Sequence, residues 1–362
     1  MMKWFKAAYT AVVVLLAALT AAFAGALILW TIGADVTRTY SVIIFEPLKN
    51  IMQTGEVIIR AIPLTIIALG ISVAYRSGTI NIGAEGQMSM GILAATAVAL
   101  TMPDAPGYAL LPLALAAGAL GGAAWGFIPG VLKARLHVSE LLSTVMLNYI
   151  AAQFYTFCLR GPMLDPAEVT MGSGTPQSMR LTKGVWLDRL VPGTRIHAGV
   201  YIALGVAFFT WLLLFRTSWG YRIRASGAGE RAARYGGIGV QRYIVAAMVI
   251  SGAFAGLAGA VEIAGVHRRA IEGVTSGYGF SAIVVALFGG LHPAGIIPAS
   301  FFFGMLLVGA DMTQRMAGVP ANVVTALQGV IILVIVATRM VLENPYLMQR
   351  VRNRLFGHGK EA

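Results

Sequence analysis

The sequence predicts an all-α polytopic membrane protein of about ten transmembrane or half-membrane helices, with both termini on the cytoplasmic side. Three observations predict it. The 362 residues are 57% hydrophobic and only 12% charged, about half the charged fraction of a soluble domain, and the mean hydropathy is +0.76. That is too little charged surface to solvate a globule of this size, so part of the solvent must be lipid. Apolar runs of spanning length recur along the chain, and the basic residues behind the net charge of +12 fall in short stretches between them.

The first apolar run covers about residues 11–32, roughly 33 Å at the helical rise and enough to span. Ala22-Phe23-Ala24 resembles a cleavage site, but the length of the run favours an uncleaved helix over a signal peptide. A polar, amphipathic connection follows at 33–54. Further segments are expected at 56–75 with a kink at Pro63, 80–100 with a polar start, 108–132 and 139–159. A hydrophilic stretch, 160–196, precedes a segment at 198–215, a basic loop at 216–241 and a segment at 243–264. Two short apolar pieces, 279–291 and 294–310, are separated by His292-Pro293 and read as half-helices; a last segment is expected at 322–340. The chain thus divides into an N-terminal helix and polar connection (1–54), a transmembrane domain (55–340) and a basic tail (341–362).

Basic residues set the orientation. With the N-terminus inside, the cytoplasmic connections hold Lys3, Lys6, Arg76, Lys133, Arg135, Arg216, Arg222, Arg224, Arg231, Arg234, Arg242 and Arg339, and the tail adds Arg350, Arg352, Arg354 and Lys360. These patches lack interleaved aromatics on which bases stack, so membrane lipid rather than nucleic acid is the expected partner of the charge. The one cysteine, Cys158, excludes an intramolecular disulfide and a cysteine metal cluster.

Small residues carry the expected packing. Gly118, Gly122, Gly126 and Gly130 form a spacing-of-four ladder, and Gly252 and Gly256 repeat the motif; such ladders let helix backbones approach closely, within one chain or at a subunit interface. At an offset of 212, Val73-Ala74 matches Val285-Ala286, Gly78 matches Gly290 and Gly83 matches Gly295. Both copies lie at a helix–break–helix, which suggests an internal parallel repeat.

No Walker A sequence, metal-spaced Cys or His pair, or G-x-S-x-G elbow is present. His137, His197 and His267 sit at segment edges, where solvation is the expected state, and the same holds for Glu262, Asp311 and Gln314. Gly236-Gly237-Ile238-Gly239 follows a basic loop rather than a strand, so it is not a phosphate loop. The informative polar residues are within the membrane, where they are costly. Asn81, Glu85 and Gln87 stand in SGTINIGAEGQMSMG, with Asn81 and Glu85 on one face if the stretch is helical. Two readings are open for Glu85: a half-exposed interfacial residue, or one that lines a pathway or holds a broken helix by accepting backbone N–H bonds. For Asn148 the two are interhelical glue and pathway lining. In the loop 216–241, Gly220, Gly227 and Gly229 are expected to break the chain before a short helix, Glu230 to Tyr235, ended by Gly236-Gly237. Such a helix suits docking to another protein.

At this point the residues resemble a family, the permease subunits of bacterial ABC importers that take up branched-chain amino acids, simple sugars and nucleosides. SGAGERAARYGGIGVQRYIVAAMVISGAFAGLAGAVE resembles the family's coupling segment and following helix, and SGYGFSAIVVALFGGLHPAGIIPASFFFGMLLVGA its late half-helix pair. IPLTIIALGISVAYRSGTINIGAEGQMSMG, with MLNYIA at 146–151, is closer to the nucleoside branch, since sugar permeases of the group usually show a Gly-Gly-Ile-Asp-Leu-Ser type of sequence in place of residues 81–87. The likeness covers about residues 55–340.

The resemblance implies a transport subunit without enzymatic activity in the bacterial inner (cytoplasmic) membrane. It implies an ATP-binding cassette subunit that carries the ATP and Mg, a second homologous permease subunit, an extracytoplasmic substrate-binding protein, and no cofactor on this chain. The coupling residues it implies are Gly227, Glu230, Arg231, Ala232, Arg234 and Gly237. For a nucleoside, Asn81, Glu85, Gln87 and Asn148 are candidates for hydrogen bonds to the ribose, and Tyr149 and Phe280 for the base. A simple sugar or branched-chain amino-acid permease is the alternative within the class, and an ion-coupled secondary transporter the alternative outside it.

Overall fold

The structure, a computed structural model, describes residues 2–172 and 174–320 and scattered positions between 323 and 338. The expected segment 322–340 is therefore described only in part. The tail 341–362 and Arg339 lie outside the described residues.

The elements in chain order are α1 (Met2–Thr31), α2 (Val36–Phe45), α3 (Ile51–Arg76), α4 (Ala84–Thr101), α5 (Gly107–Leu136), α6 (Glu140–Arg160) and α7 (Pro166–Met171). Then come α8 (Gly199–Arg216), α9 (Ser218–Ala228), α10 (Glu230–Tyr235), α11 (Val240–Glu262), α12 (Tyr278–Phe288) and α13 (Pro293–Met316). Among the described residues, extended pairing is limited to isolated bridges such as Gln177–Ile271 and Arg189–His197. Among the described residues six helices are long and apolar enough to cross a membrane: α3, α5, α6, α8, α11 with its π-helical extension to His267, and α13. The chain is thus a multi-pass membrane protein.

Two compact units divide the chain. The first comprises residues 1–50 and 305–362. In it Leu29, Ala310, Val319 and Leu327 form an apolar cluster, and Asp35 caps α2 by accepting from the Arg38 N–H at 2.9 Å. The second unit comprises residues 51–304.

In this second unit α4 packs against α5, α6, α11 and α12. That enclosure gives Glu85, Gln87 and Ser89 protein rather than lipid as their surroundings, the condition under which polar groups are tolerated at membrane depth. The glycine ladder does its work inside the chain. A Cβ on Gly122 would lie 2.7 Å from the Gly256 Cα, and one on Gly126 2.7 Å from the Met248 carbonyl oxygen, so α5 and α11 meet backbone to backbone.

Three expectations are corrected. The stretch 294–310 is not a half-helix: α13 continues to Met316 and is long enough to span. Its small residue Gly304 does not interrupt it but admits the α3 backbone, since a Cβ there would meet the Val57 carbonyl oxygen at 2.7 Å. Gly220 and Gly227 do not break the loop after α8 either; both lie inside α9, and only Gly229 separates α9 from α10. Asn81 does not share a helix face with Glu85, because α4 begins at Ala84 and Asn81 precedes it in non-helical backbone. Pro63 sits within the unbroken helix α3.

Candidate transport pathway and coupling surface

Chemistry concentrates where the chain breaks between α3 and α4. α3 ends in a left-handed cap: Gly78 has φ +83°, its N–H reaches the Tyr75 carbonyl at 3.1 Å and the Thr79 N–H reaches the Ala74 carbonyl at 3.2 Å. The backbone then runs to Gly83 without helical bonds, and buried side chains must supply the partners that the helix does not.

Asn81 supplies most of them. Its Nδ2 donates to Gln87 Oε1 at 2.7 Å and to Ser251 Oγ on α11 at 2.8 Å. Its Oδ1 accepts from the Gly83 N–H at 3.0 Å and from Gln87 Nε2 at 3.1 Å. Asn148 on α6 closes the other side, accepting from the Gly86 N–H at 2.9 Å and donating to the Ile82 carbonyl at 2.9 Å. Asn81 and Gln87 are 0% and 1% exposed, and their amides are spent on each other and on the break. Asn148 is likewise buried, as interhelical glue.

Glu85 reaches out of the first turn of α4 to the start of α12. Its two carboxylate oxygens accept from the Gly277 N–H at 2.9 Å and the Gly279 N–H at 2.7 Å. Of the readings open for Glu85, this is the one in which it holds a broken helix by backbone bonds. An anion there also faces the positive end of the α12 dipole. The contact needs glycine at 279, because a Cβ would lie 2.7 Å from the Glu85 Cα. Changing Glu85 to Gln removes the charge and turns one acceptor into a donor. The expected cost is about 1–3 kcal/mol, read as a lower melting temperature in detergent; an unchanged value would mean that α12 is held by other groups.

The structure thus brings Asn81, Glu85, Gln87 and Asn148 together. Phe280 follows Gly279 directly and is 49% exposed; Tyr149 follows Asn148 and is 66% exposed. Ser251 was missed by sequence reasoning. A lone serine in a Gly/Ala-rich run carries no signal until Asn81 is seen 170 residues away in the chain.

The break between α12 and α13 carries the same cap at the offset of 212. Gly290 has φ +67°, its N–H reaches the Leu287 carbonyl at 3.0 Å, and the Leu291 N–H reaches the Ala286 carbonyl at 2.9 Å. Arg76 links the two breaks. Its Nε and Nη2 both donate to the Leu291 carbonyl, at 3.0 and 2.9 Å, and its guanidinium lies 5.1 Å over the Phe215 ring.

The same corner receives α9. A Cβ on Gly227 would lie 2.6 Å from the Gly78 nitrogen and 2.8 Å from the Ser77 carbonyl carbon, so only glycine fits against the cap that ends α3. Beyond it, Glu230, Arg231, Ala232, Arg234, Tyr235 and Gly237 are exposed, while Ala233 is buried against Ala134, Val240 and Ile244. Arg234 pairs with Glu230 at 2.6 Å along α10.

At the far end of the bundle, two residues depart from the expected solvation. Glu262 is only 3% exposed and faces His267 Nε2 at 3.4 Å. His197 is buried between Gly199 and Gly265, with Nδ1 accepting from the Gly199 N–H at 3.1 Å. Burial pushes its pKa down, against the Glu262 carboxylate and with Arg195.

The model of a family described as the branched-chain amino acid transport system permease component matches residues 53–336. The chain is 37% identical to the guanosine ABC transporter permease protein NupP of Bacillus subtilis, over 87% of this chain and 90% of that one. It is 34% identical to a glucose ABC transporter permease protein of Haloferax volcanii, over 91% and 87%. It is 32% identical to the nucleoside ABC transporter permease protein NupB of Lactococcus lactis, over 88% of each.

Proposed function

The chain belongs to the branched-chain amino acid transport system permease family, and from that premise we propose that it is the permease subunit through which an ATP-driven importer moves nucleosides across the inner (cytoplasmic) membrane. It is a transport subunit and not itself an enzyme. The observation that carries the nucleoside reading is the extent of the likeness to NupP and NupB, which runs through both breaks and the coupling segment. The glucose permease of Haloferax volcanii supports the rival sugar reading at comparable identity.

In this reading α10, with Glu230, Arg231, Ala232 and Arg234, docks on an ATP-binding cassette subunit that carries the ATP and Mg. A second homologous permease completes the pathway, and an extracytoplasmic binding protein delivers the substrate. Asn81, Gln87 and Asn148 shape the pathway by fixing the broken segment that walls it, and Glu85 by fixing α12. Tyr149 and Phe280 offer exposed rings for the base. Closure of the ATPase pair moves α9 and α10, and Gly227 passes the movement to the cap of α3 as a biased change between two conformations.

The test is ATP hydrolysis by the complex with its ATP-binding, second permease and binding-protein partners, reconstituted in liposomes. Stimulation by guanosine or other nucleosides is expected. Stimulation by glucose or ribose alone overturns the substrate, and uptake driven by an ion gradient without ATP overturns the class.

Gly227→Ala tests the coupling route. The added methyl pushes α9 off the Gly78 cap, at about 1–3 kcal/mol for overpacking. Transport should fall by roughly tenfold or more while the complex still assembles and hydrolyses ATP at its basal rate; transport at the wild-type rate rules out this contact as the transmitter.

A further inference from the structure

At the end of the bundle opposite α9 and α10, two connections are laced together. The Ser178 N–H reaches the Ala270 carbonyl at 2.9 Å, the Leu181 N–H the Arg268 carbonyl at 2.8 Å and the Leu187 N–H the Ala264 carbonyl at 3.1 Å. The stretch expected to be a hydrophilic loop is therefore a fixed platform, joined to the segment that follows the π-helical end of α11.

Its centre is Trp186, whose indole N–H is held by the Leu181 carbonyl at 3.0 Å. The Arg268 guanidinium lies 3.9 Å and the Arg180 guanidinium 5.0 Å from its ring centroid. Arg268 takes this place from a left-handed backbone, φ +59°, a conformation that costs a non-glycine residue of order 1–3 kcal/mol and persists only where surroundings enforce it. Burial first, then the charges of Arg189, Arg180 and Arg195, push the Arg268 pKa below its ordinary value. Arg180, Arg189 and Arg195 are exposed. Among the described residues no carboxylate forms an ion pair with Arg180, Arg189 or Arg268, and Arg195 has only a 3.3 Å contact with Glu56. Like charges gathered on a rigid platform repel one another, and an arriving surface of opposite charge relieves that repulsion.

We propose that Arg180 and Arg268 on the Trp186 ring, with Arg189 and Arg195 of the same connection, form the landing surface for a carboxylate-rich face of the extracytoplasmic binding protein. This rests on the importer reading above. Planar guanidinium groups pre-placed on an aromatic ring suit bidentate contact with Asp and Glu side chains at low ordering cost. The 18-residue helix α8 separates this surface from α9 and α10.

The experiment uses the whole transporter in nanodiscs and the purified cognate binding protein, with Arg180→Glu/Arg189→Glu as the variant and Arg180→Lys/Arg189→Lys beside it. Binding of the wild type should weaken as salt rises. The Glu variant should bind at least about tenfold more weakly, the Lys variant should retain most of the affinity, and basal ATP hydrolysis should be unchanged in both. Equal binding by wild type and Glu variant overturns the proposal. So does a variant that loses only its affinity for vesicles of phosphatidylglycerol, which would make the patch a headgroup site. If wild-type hydrolysis does not respond to the binding protein at all, the importer reading fails instead, a result separable from the others.

Discussion

Asn81→Leu will remove most of the folded transporter, although leucine matches asparagine in side-chain heavy-atom count and branching. The substitution leaves both ends of the Gln87 amide, the Ser251 hydroxyl and the Gly83 N–H without the partner they have now. Each orphaned buried group costs about 1–3 kcal/mol, so the sum reaches a large part of the 5–15 kcal/mol that holds a typical domain folded. Fluorescence-detected size exclusion after a heating series measures the loss. The double variant Asn81→Leu/Gln87→Leu should recover part of it, because deleting both partners costs less than stranding one. If single and double variants melt together, the network is not what holds the break.

Gly256→Val is expected to be equally severe for a steric reason. A Cβ at this position lies 2.8 Å from the Gly122 nitrogen and 2.9 Å from its Cα, and a Cβ on Gly91 of α4 would in turn lie 2.7 Å from the Gly256 carbonyl carbon. Three helices meet there on backbone alone, and none can yield by rotating a side chain. A β-branched residue must separate them, forfeiting close packing along the α5–α11 seam at a cost above the usual 1–3 kcal/mol for overpacking. The loss of a monodisperse peak in detergent checks this. Gly205→Val on α8 is the control, since a Cβ there meets nothing within 4 Å; an equal loss at Gly205 would mean that general helix propensity, not the three-way contact, sets the cost.

The spanning helices were legible because lipid imposes a length and a composition on them. Helix α10 was legible to the residue, since Gly229 and Gly236 punctuate an otherwise helical run. The same logic failed at Gly220 and Gly227. Glycine marks a break in water, but in a tightly packed membrane bundle it also marks a contact inside a helix, and the two uses look alike in one dimension. Asn81, Glu85, Gln87 and Asn148 drew attention because amides and carboxylates are costly in lipid. Their partners did not: Ser251, Gly277 and Gly279 lie far along the chain, and two of them contribute only backbone N–H groups. Glu262 and His197 stand at segment edges, where sequence alone predicts solvation, but both are buried, His197 against Gly199 and Gly265.

Two hydrogen bonds from Arg76 to the Leu291 carbonyl join the break after α3 to the break after α12. Both breaks share a single backbone design, a left-handed glycine that caps the preceding helix. Displacing one break from the other means giving up these two bonds and the guanidinium stacked on Phe215. The linkage favours movement of the two breaks together over movement of one alone. In a conduit that must never be open to both sides at once, such a linkage is a safeguard against leakage.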